Sequence, residues 1–223
     1  MDRTLRVLAI SDIHGRKSIV KRVFEHEEVD HVFIAGDITN FGSVEEAEDI
    51  LNAVAELVNG LVLFVPGNCD PQGLLEYKPK ESRIVNVHGT SYRIGELSVV
   101  GVGGGLISPF NTWIEFREEE YASLINEASK DITNHNMIVL SHTPPYNTKL
   151  DRVRSGVHVG SKSLRKFIEE KNPLLCVCGH IHESRGLDRI GNTIMVNPGP
   201  LAWGYYAIID IGEDVKVSLK SLR

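Results

Sequence analysis

The sequence predicts an α/β fold in which two packed β-sheets carry helices on their outer faces. In the first half, near-continuous apolar runs alternate with stretches of helical period. From about residue 84 the pattern shifts to short alternating segments with glycine breaks, which read as antiparallel strands. Five short polar blocks each follow directly on an apolar run, which places them at strand ends. No low-complexity linker or internal repeat divides the chain, and 223 residues with 42% hydrophobic content suffice for one domain spanning residues 1–223.

Leu5 to Ile10 is almost wholly apolar, as in a strand covered on both faces. Lys17 to Glu28 follows as a helix, with Ile19, Val20, Val23 and Phe24 on one side. The unit repeats. His31 to Ala35 is a strand, and Ser43 to Val58 is a helix presenting Val44, Ala47, Ile50, Leu51, Val54 and Leu57. Leu61 to Val65 is a further strand, and Ser43 with Glu46 forms a capping-box start. Ile84 to Val87, Tyr92 to Ile94 and Leu97 to Val102 are the expected antiparallel segments. Glu118 to Ile132 is a helix, Met137 to Leu140 a strand, Ser161 to Lys171 a helix and Leu174 to Cys178 a strand. The tail reads as strands Leu187 to Ile190 and Thr193 to Val196 across a Gly191-Asn192 hairpin, then Tyr205 to Ile211 and Val215 to Leu219.

The polar blocks are Asp12-Ile13-His14, Gly36-Asp37, Gly67-Asn68, Ser141-His142 and Gly179-His180-Ile181-His182. One Asp after a strand is ordinarily a cap or turn former. Five such blocks, all at strand C-terminal ends, meet in the crevice where open α/β sheets bind ligands. Oxygen donors mixed with imidazoles suit divalent Mn, Fe, Co, Ni or Zn, not calcium or a thiolate structural zinc site. The expectation is a dinuclear metallohydrolase.

With these residues in place, the chain resembles the calcineurin-like metallophosphoesterase family. Its signature runs Asp-x-His, Gly-Asp-x-x-Asp, Gly-Asn-His-Asp/Glu, a single His, then Gly-His-x-His, and the resemblance spans Asp12 to His182. It implies a four-layer α/β/β/α sandwich of two mixed sheets flanked by helices. It also implies that Asp12, His14 and His182 hold one metal, that Asn68, His142 and His180 hold the other, and that Asp37 bridges the two. Mn is the preferred ion of the set. A metal pair about 3.5 to 4 Å apart clamps a phosphate and turns a shared water into hydroxide, which attacks phosphorus in line. Asp37 and Asn68 thereby become catalytic as well as ligating residues.

Two positions depart from the family pattern. The third block reads Gly67-Asn68-Cys69-Asp70, so the His that serves relatives as proton donor to the leaving group is missing. Small prokaryotic relatives share this Cys, which tilts the expected substrate towards a small soluble phosphodiester. A Cys69 thiol beside two cations tends to ionise, making it a poor acid and a site of oxidation. The second departure is Asn40, where the pattern places a carboxylate supporting the ligands.

Other residues are candidates of lower standing. His158, in the Gly156-to-Gly160 loop, is a candidate catalytic proton donor in place of Cys69. Arg16 suits a phosphate oxygen or a helix start. Tyr146 is a candidate aromatic wall. His26, His31, His88 and His135 read as structural, Gly103-Gly104-Gly105 as a flexible connection lacking the Lys of a phosphate loop, and Asn197-Pro198-Gly199 as a turn. Phe110, Trp113 and Phe116 form a pocket rim or a subunit contact, so a homo-oligomer is one expectation. Cys176 and Cys178 are apolar fillers on one strand face.

Net charge is −6 and there is no basic cluster, which argues against nucleic acid beyond small nucleotides as a partner. Three unpaired cysteines, no signal-peptide pattern and no membrane-length run lead to a cytoplasmic expectation. Two other functions stay open: a phosphomonoesterase or protein phosphatase, and a non-catalytic protein-binding scaffold on the same fold.

Overall fold

A computed structural model describes residues 4–132 and 136–222. Its strands and helices are, in chain order, β1 (Leu5–Ile10), α1 (Lys17–Phe24), β2 (His31–Ala35), α2 (Val44–Leu57), β3 (Val62–Val65), β4 (Ile84–Asn86), β5 (Ser91–Ile94), β6 (Leu97–Val102), β7 (Gly105–Leu106), β8 (Glu115–Phe116), α3 (Glu118–Ser129), β9 (Met137–Ser141), α4 (Lys162–Lys171), β10 (Leu175–Val177), β11 (Gly186–Ile190), β12 (Thr193–Asn197), β13 (Tyr205–Ile211) and β14 (Val215–Ser221). Two six-stranded mixed sheets result, ordered β14-β13-β1-β2-β3-β4 and β11-β12-β10-β9-β6-β5.

The apolar runs are continuous because each central strand has two dry faces. Along β1, Leu8 and Ile10 pack with α1 and α2, while Val7 and Ala9 turn to the space between the sheets. Along β10, Leu175 and Val177 join that same central layer, and Cys176 packs with Cys178 against α3 and α4. Both cysteines are thus the fillers expected. Three apolar layers between four layers of structure follow, and each buried Val, Leu, Ile or Phe side chain stabilises them by roughly 1.5–3 kcal/mol.

The helix ends carry their own signals. The Ser43 side chain accepts from the Glu46 backbone N–H at 3.2 Å to start α2, and Ser161 does the same for Leu164 at 3.0 Å to start α4. The α1 helix stops at Phe24, short of the expected Glu28. Glu27 there leaves the helical path to accept from the Arg6 guanidinium at 3.1 Å and the Tyr206 hydroxyl at 3.1 Å.

Three expectations need correction. β4 pairs parallel to β3, not antiparallel, because it extends the first sheet at its edge while β5 and β6 form an antiparallel pair in the second. The Gly103-to-Gly105 run is buried, packed backbone and no flexible connection: Gly104 N–H donates to Pro66 O (2.8 Å) and Gly105 N–H to Ile114 O (2.9 Å). The segment around Trp113 is not a bare loop, since β7 and β8 pair in parallel across it. His135 lies outside the described residues.

His88 is structural in a way that sets a pH dependence. Its Nδ1 accepts the Gly103 N–H at 2.9 Å, its ring stacks on Phe116, and burial pushes it down to about 4. Above the ordinary 6.5 both folded and unfolded chains hold it neutral; below that, only the unfolded chain gains a proton. Stability therefore falls as pH drops from 6.5 to about 4, by roughly 3 kcal/mol in total from this residue. Urea unfolding of His88→Gln and wild type across that window checks this: the variant should lose less on acidification, and parallel curves would refute the assignment.

Candidate metal centre

The five polar blocks sit where β1, β2, β3, β9 and β10 end, all parallel within their sheets, so their loops stack side by side. Backbone hydrogen bonds tie the first two loops together: Asp12 N–H donates to Gly36 O (3.0 Å) and His14 N–H to Asp37 O (3.0 Å). The glycines preceding two ligand candidates explain the closeness. Gly36 has φ +86, and a Cβ there would overlap His142 Nδ1; a Cβ on Gly67 would overlap Asp37 Oδ1.

Six of the seven expected ligand side chains are joined by their donor atoms. His182 Nε2 lies 3.1 Å from Asp12 Oδ1 and 3.3 Å from His14 Nε2. His14 Nε2 lies 3.9 Å from Asp12 Oδ1 and 3.8 Å from Asp37 Oδ2. On the other side, His142 Nε2 lies 2.8 Å from Asn68 Oδ1 and 3.6 Å from Asp37 Oδ1. Asp37 thus turns one carboxylate oxygen to each half. His180 joins through its ring, 4.9 Å from that of His142, and its backbone N–H donates to Asp12 Oδ2 at 3.2 Å.

The donor set fits cations. Metal–ligand bonds of about 2.0–2.2 Å place neighbouring donors roughly 3 to 3.5 Å apart, close to most of these separations. His142 Nδ1 is 2.7 Å from the Ala35 carbonyl, which can only accept, so the proton sits on Nδ1 and the Nε2 lone pair faces the cluster. Asn68 turns its amide nitrogen to Cys69 Sγ (3.5 Å), leaving its oxygen against that lone pair. Two acceptors at 2.8 Å repel unless a cation lies between them.

Backbone strain marks the same loops. Asp12 (φ 55), His14 (φ 47), Asp37 (φ 51) and His180 (φ 68) are all in the left-handed region, four of the seven ligand candidates. Each such residue costs of the order of 1–2 kcal/mol, a cost that functional sites retain.

The electrostatics are those of a site prepared for positive charge. Burial, with Asp12 and then Asp70 beside it, raises the Asp37 carboxyl well above its usual range. Burial also opposes ionisation of Asp12, yet the His182 hydrogen bond and the neighbouring His142 outweigh it and hold that carboxyl below the carboxylate range. Burial lowers His14 and His142 and takes His180 down to about 3, keeping imidazoles neutral as ligation requires. His182 alone is raised, by its hydrogen bond to Asp12.

The other candidates fall out differently. Cys69 is half-buried beside Asp37 and His14, and burial followed by Asp37 pushes its thiol up in the metal-free protein. Asn40 is exposed, so it does not stand in for the carboxylate expected there. Asp70 is the residue that sequence reasoning missed: fully buried, it accepts from Ile38 N (3.1 Å), Thr39 N (2.7 Å), Thr39 Oγ1 (2.9 Å) and Gly67 N (2.8 Å), binding the Asp37 loop to the Asn68 loop. Its signal was its place as the fourth residue of the Gly-Asn-Cys-Asp block. Asn197 likewise braces the last block, donating to Ile181 O at 2.9 Å.

His158 stands apart from the donor cluster, on a strap that packs against the His182–Ser184 turn through Arg152 N–H to Ser184 Oγ (3.1 Å) and Arg154 N–H to Glu183 Oε1 (3.1 Å). Its Nδ1 is 2.7 Å from Asp151, a buried carboxylate that also accepts from Thr148 N and Gly160 N. Tyr146 meets the His158 ring edge-on and lies under Lys162 Nζ. Arg16 is exposed and donates to the Ala202 carbonyl at 3.1 Å.

Known proteins are similar to this chain in sequence and fold. A family model described as calcineurin-like phosphoesterase matches residues 5–184. An uncharacterized protein of Methanocaldococcus jannaschii is 41% identical over 212 residues, covering 92% of this chain and 93% of its own. A UPF0046 protein of Caenorhabditis elegans is 26% identical, over 86% of this chain and 69% of its own. The crystal structure of a Thermus thermophilus protein, TT1561, superimposes with a TM-score of 0.74 at 20% identity, over 99% of this chain and 100% of that one, and shares the fold. No helix among the described residues is long and apolar enough to cross a membrane.

Proposed function

This chain belongs to the calcineurin-like phosphoesterase family, and from that premise we propose that it is a dinuclear phosphodiesterase acting on a small phosphodiester. The observation that carries the reading is the split carboxylate of Asp37, with Oδ2 3.8 Å from His14 Nε2 and Oδ1 3.6 Å from His142 Nε2. Asp12, His14 and His182 would hold one divalent ion, with Mn favoured, and Asn68, His142 and His180 the second. When bound, such a pair supplies Lewis acidity and an activated water for attack on phosphorus.

The chain's own residues do the rest. Neutral imidazoles present lone pairs, Asp70 fixes the Asp37 loop, and the buried surroundings strengthen every charge interaction at the phosphate. Cys69 stands where relatives carry the leaving-group His, which disfavours esters that need a strong proton donor and tilts the reading towards diesters. His158, oriented by Asp151, is the proposed proton donor in its place. The Asp151 carboxylate accepts a hydrogen bond from Nδ1–H at 2.7 Å, which leaves Nε2 to exchange a proton with the leaving oxygen.

Hydrolysis of bis-p-nitrophenyl phosphate and p-nitrophenyl phosphate, after metal stripping and Mn add-back, tests the function. Metal-dependent kcat/KM higher for the diester supports it. Preference for the monoester points to a phosphomonoesterase, and metal binding without turnover of either points to a scaffold. His158→Gln should slow esters with alkyl leaving groups by about 100-fold or more, and p-nitrophenyl esters far less. An equal drop for both would remove His158 as the donor.

A further inference from the structure

We propose that Trp203 is a stacking platform for a planar ester group of the substrate, a nucleobase or an aryl ring, at the His182 end of the cluster. The inference rests on the phosphodiesterase reading and names the substrate class for that site. The indole is 55% exposed, yet its ring stands 5.3 Å from that of His182, nearly perpendicular at 82°. The side chain lies against an expected metal ligand with much of its surface open.

Its position is fixed by the loop that carries Asp12. In the short turn Leu201–Trp203, Leu201 N–H donates to Ser11 O (2.8 Å) and Ala202 N–H to Asp12 O (3.1 Å). The turn closes at Gly204, whose φ of 84 suits glycine and whose N–H donates to Leu201 O (2.7 Å). Arg16 clamps the same turn through Ala202 O. An indole held this way loses little entropy on meeting a ligand, since only two side-chain torsions remain to be ordered.

The opposite end of the cluster has its own aromatic pair. Phe41 and Trp113, 44% and 41% exposed, meet edge-on at 5.2 Å. Their backbones bind the ligand loop, Phe41 N–H donating to Cys69 O and Trp113 N–H to Asn68 O, both at 3.0 Å. Singly scattered exposed aromatics are ordinary. Trp203 is held on the Asp12 loop by its turn-mates Leu201 and Ala202, and Phe41 and Trp113 on the Asn68 loop by their own backbones, so these aromatics are not scattered, and a phosphodiester, unlike a monoester, has two ester groups to place.

The chain has two tryptophans, so Trp113→Phe leaves Trp203 as the sole indole. In that protein loaded with zinc, AMP should quench the indole fluorescence and ribose 5-phosphate should not. By calorimetry AMP should bind about tenfold tighter than ribose 5-phosphate, an advantage lost in Trp203→Ala and largely kept in Trp203→Phe. If ribose 5-phosphate binds but AMP gains nothing and quenches nothing, the platform is overturned while the phosphate site stands. If neither ligand nor inorganic phosphate binds, both readings are lost.

Discussion

Asp37→Asn should lower metal-dependent phosphodiester hydrolysis by roughly 1000-fold or more, several kcal/mol of transition-state stabilisation, while leaving the fold intact. The carboxylate faces both halves of the cluster, and an amide keeps the shape but presents one oxygen and no charge. Stability should move the other way. Burial and the nearby Asp12 and Asp70 raise the Asp37 carboxyl in the folded metal-free protein. Its stabilising contribution is therefore full below 3.8, where folded and unfolded chains both keep the proton, and declines as pH rises through the folded value. At neutral pH an acid held in this buried place is a cost that Asn removes, and the amide oxygen can still accept the Cys69 N–H at 2.8 Å. Metal-free Asp37→Asn should unfold at higher urea than metal-free wild type. Lower activity with lower stability would make Asp37 a structural residue instead.

Metal loading should raise the stability of wild type by about 4 kcal/mol when the free ion is roughly a thousandfold above its dissociation constant. The metal-free protein has two sources of instability at this one place. Asp12 and Asp37 are buried together, and four ligand candidates hold left-handed backbone. A cation relieves the first and offsets the second. Urea midpoints with Mn, with chelator and with Mn restored measure the shift, and chelation should reverse it. Asp37→Asn should gain much less than wild type. An equal gain in both proteins would mean that the ion binds elsewhere.

The seven ligand candidates were legible because each follows a strand buried on both faces. Such strands read as unbroken apolar runs, and although one polar block after a strand is an ordinary cap or turn, five at the ends of such strands point to one shared site. The four layers were legible for the same reason: Val7 and Leu8, or Leu175 and Cys176, are neighbours in sequence that need different apolar layers. The edge position of β4 was not, since a three-residue strand carries no mark of the sheet it joins. Asp70 and Asp151 were hidden because a buried carboxylate is recognised by the backbone N–H groups aimed at it, and these come from residues distant in the chain or from loop geometry. Asn40 is exposed, and the carboxylate that braces the Asp37 loop is Asp70, which reaches Thr39 from the neighbouring loop. Trp203 ends a turn whose proximity to Asp12 exists only once β13 has paired beside β1.

Through Asp37, one chain is expected to hold two metal ions. Equilibrium dialysis of metal-stripped protein against saturating Mn, with metal counted per chain, tests it most directly. Wild type should bind two ions, and His182→Ala and His142→Ala should each lose one, from opposite halves of the cluster. A wild-type protein that saturates at one ion or none, or that keeps both ions in each variant, would contradict the account.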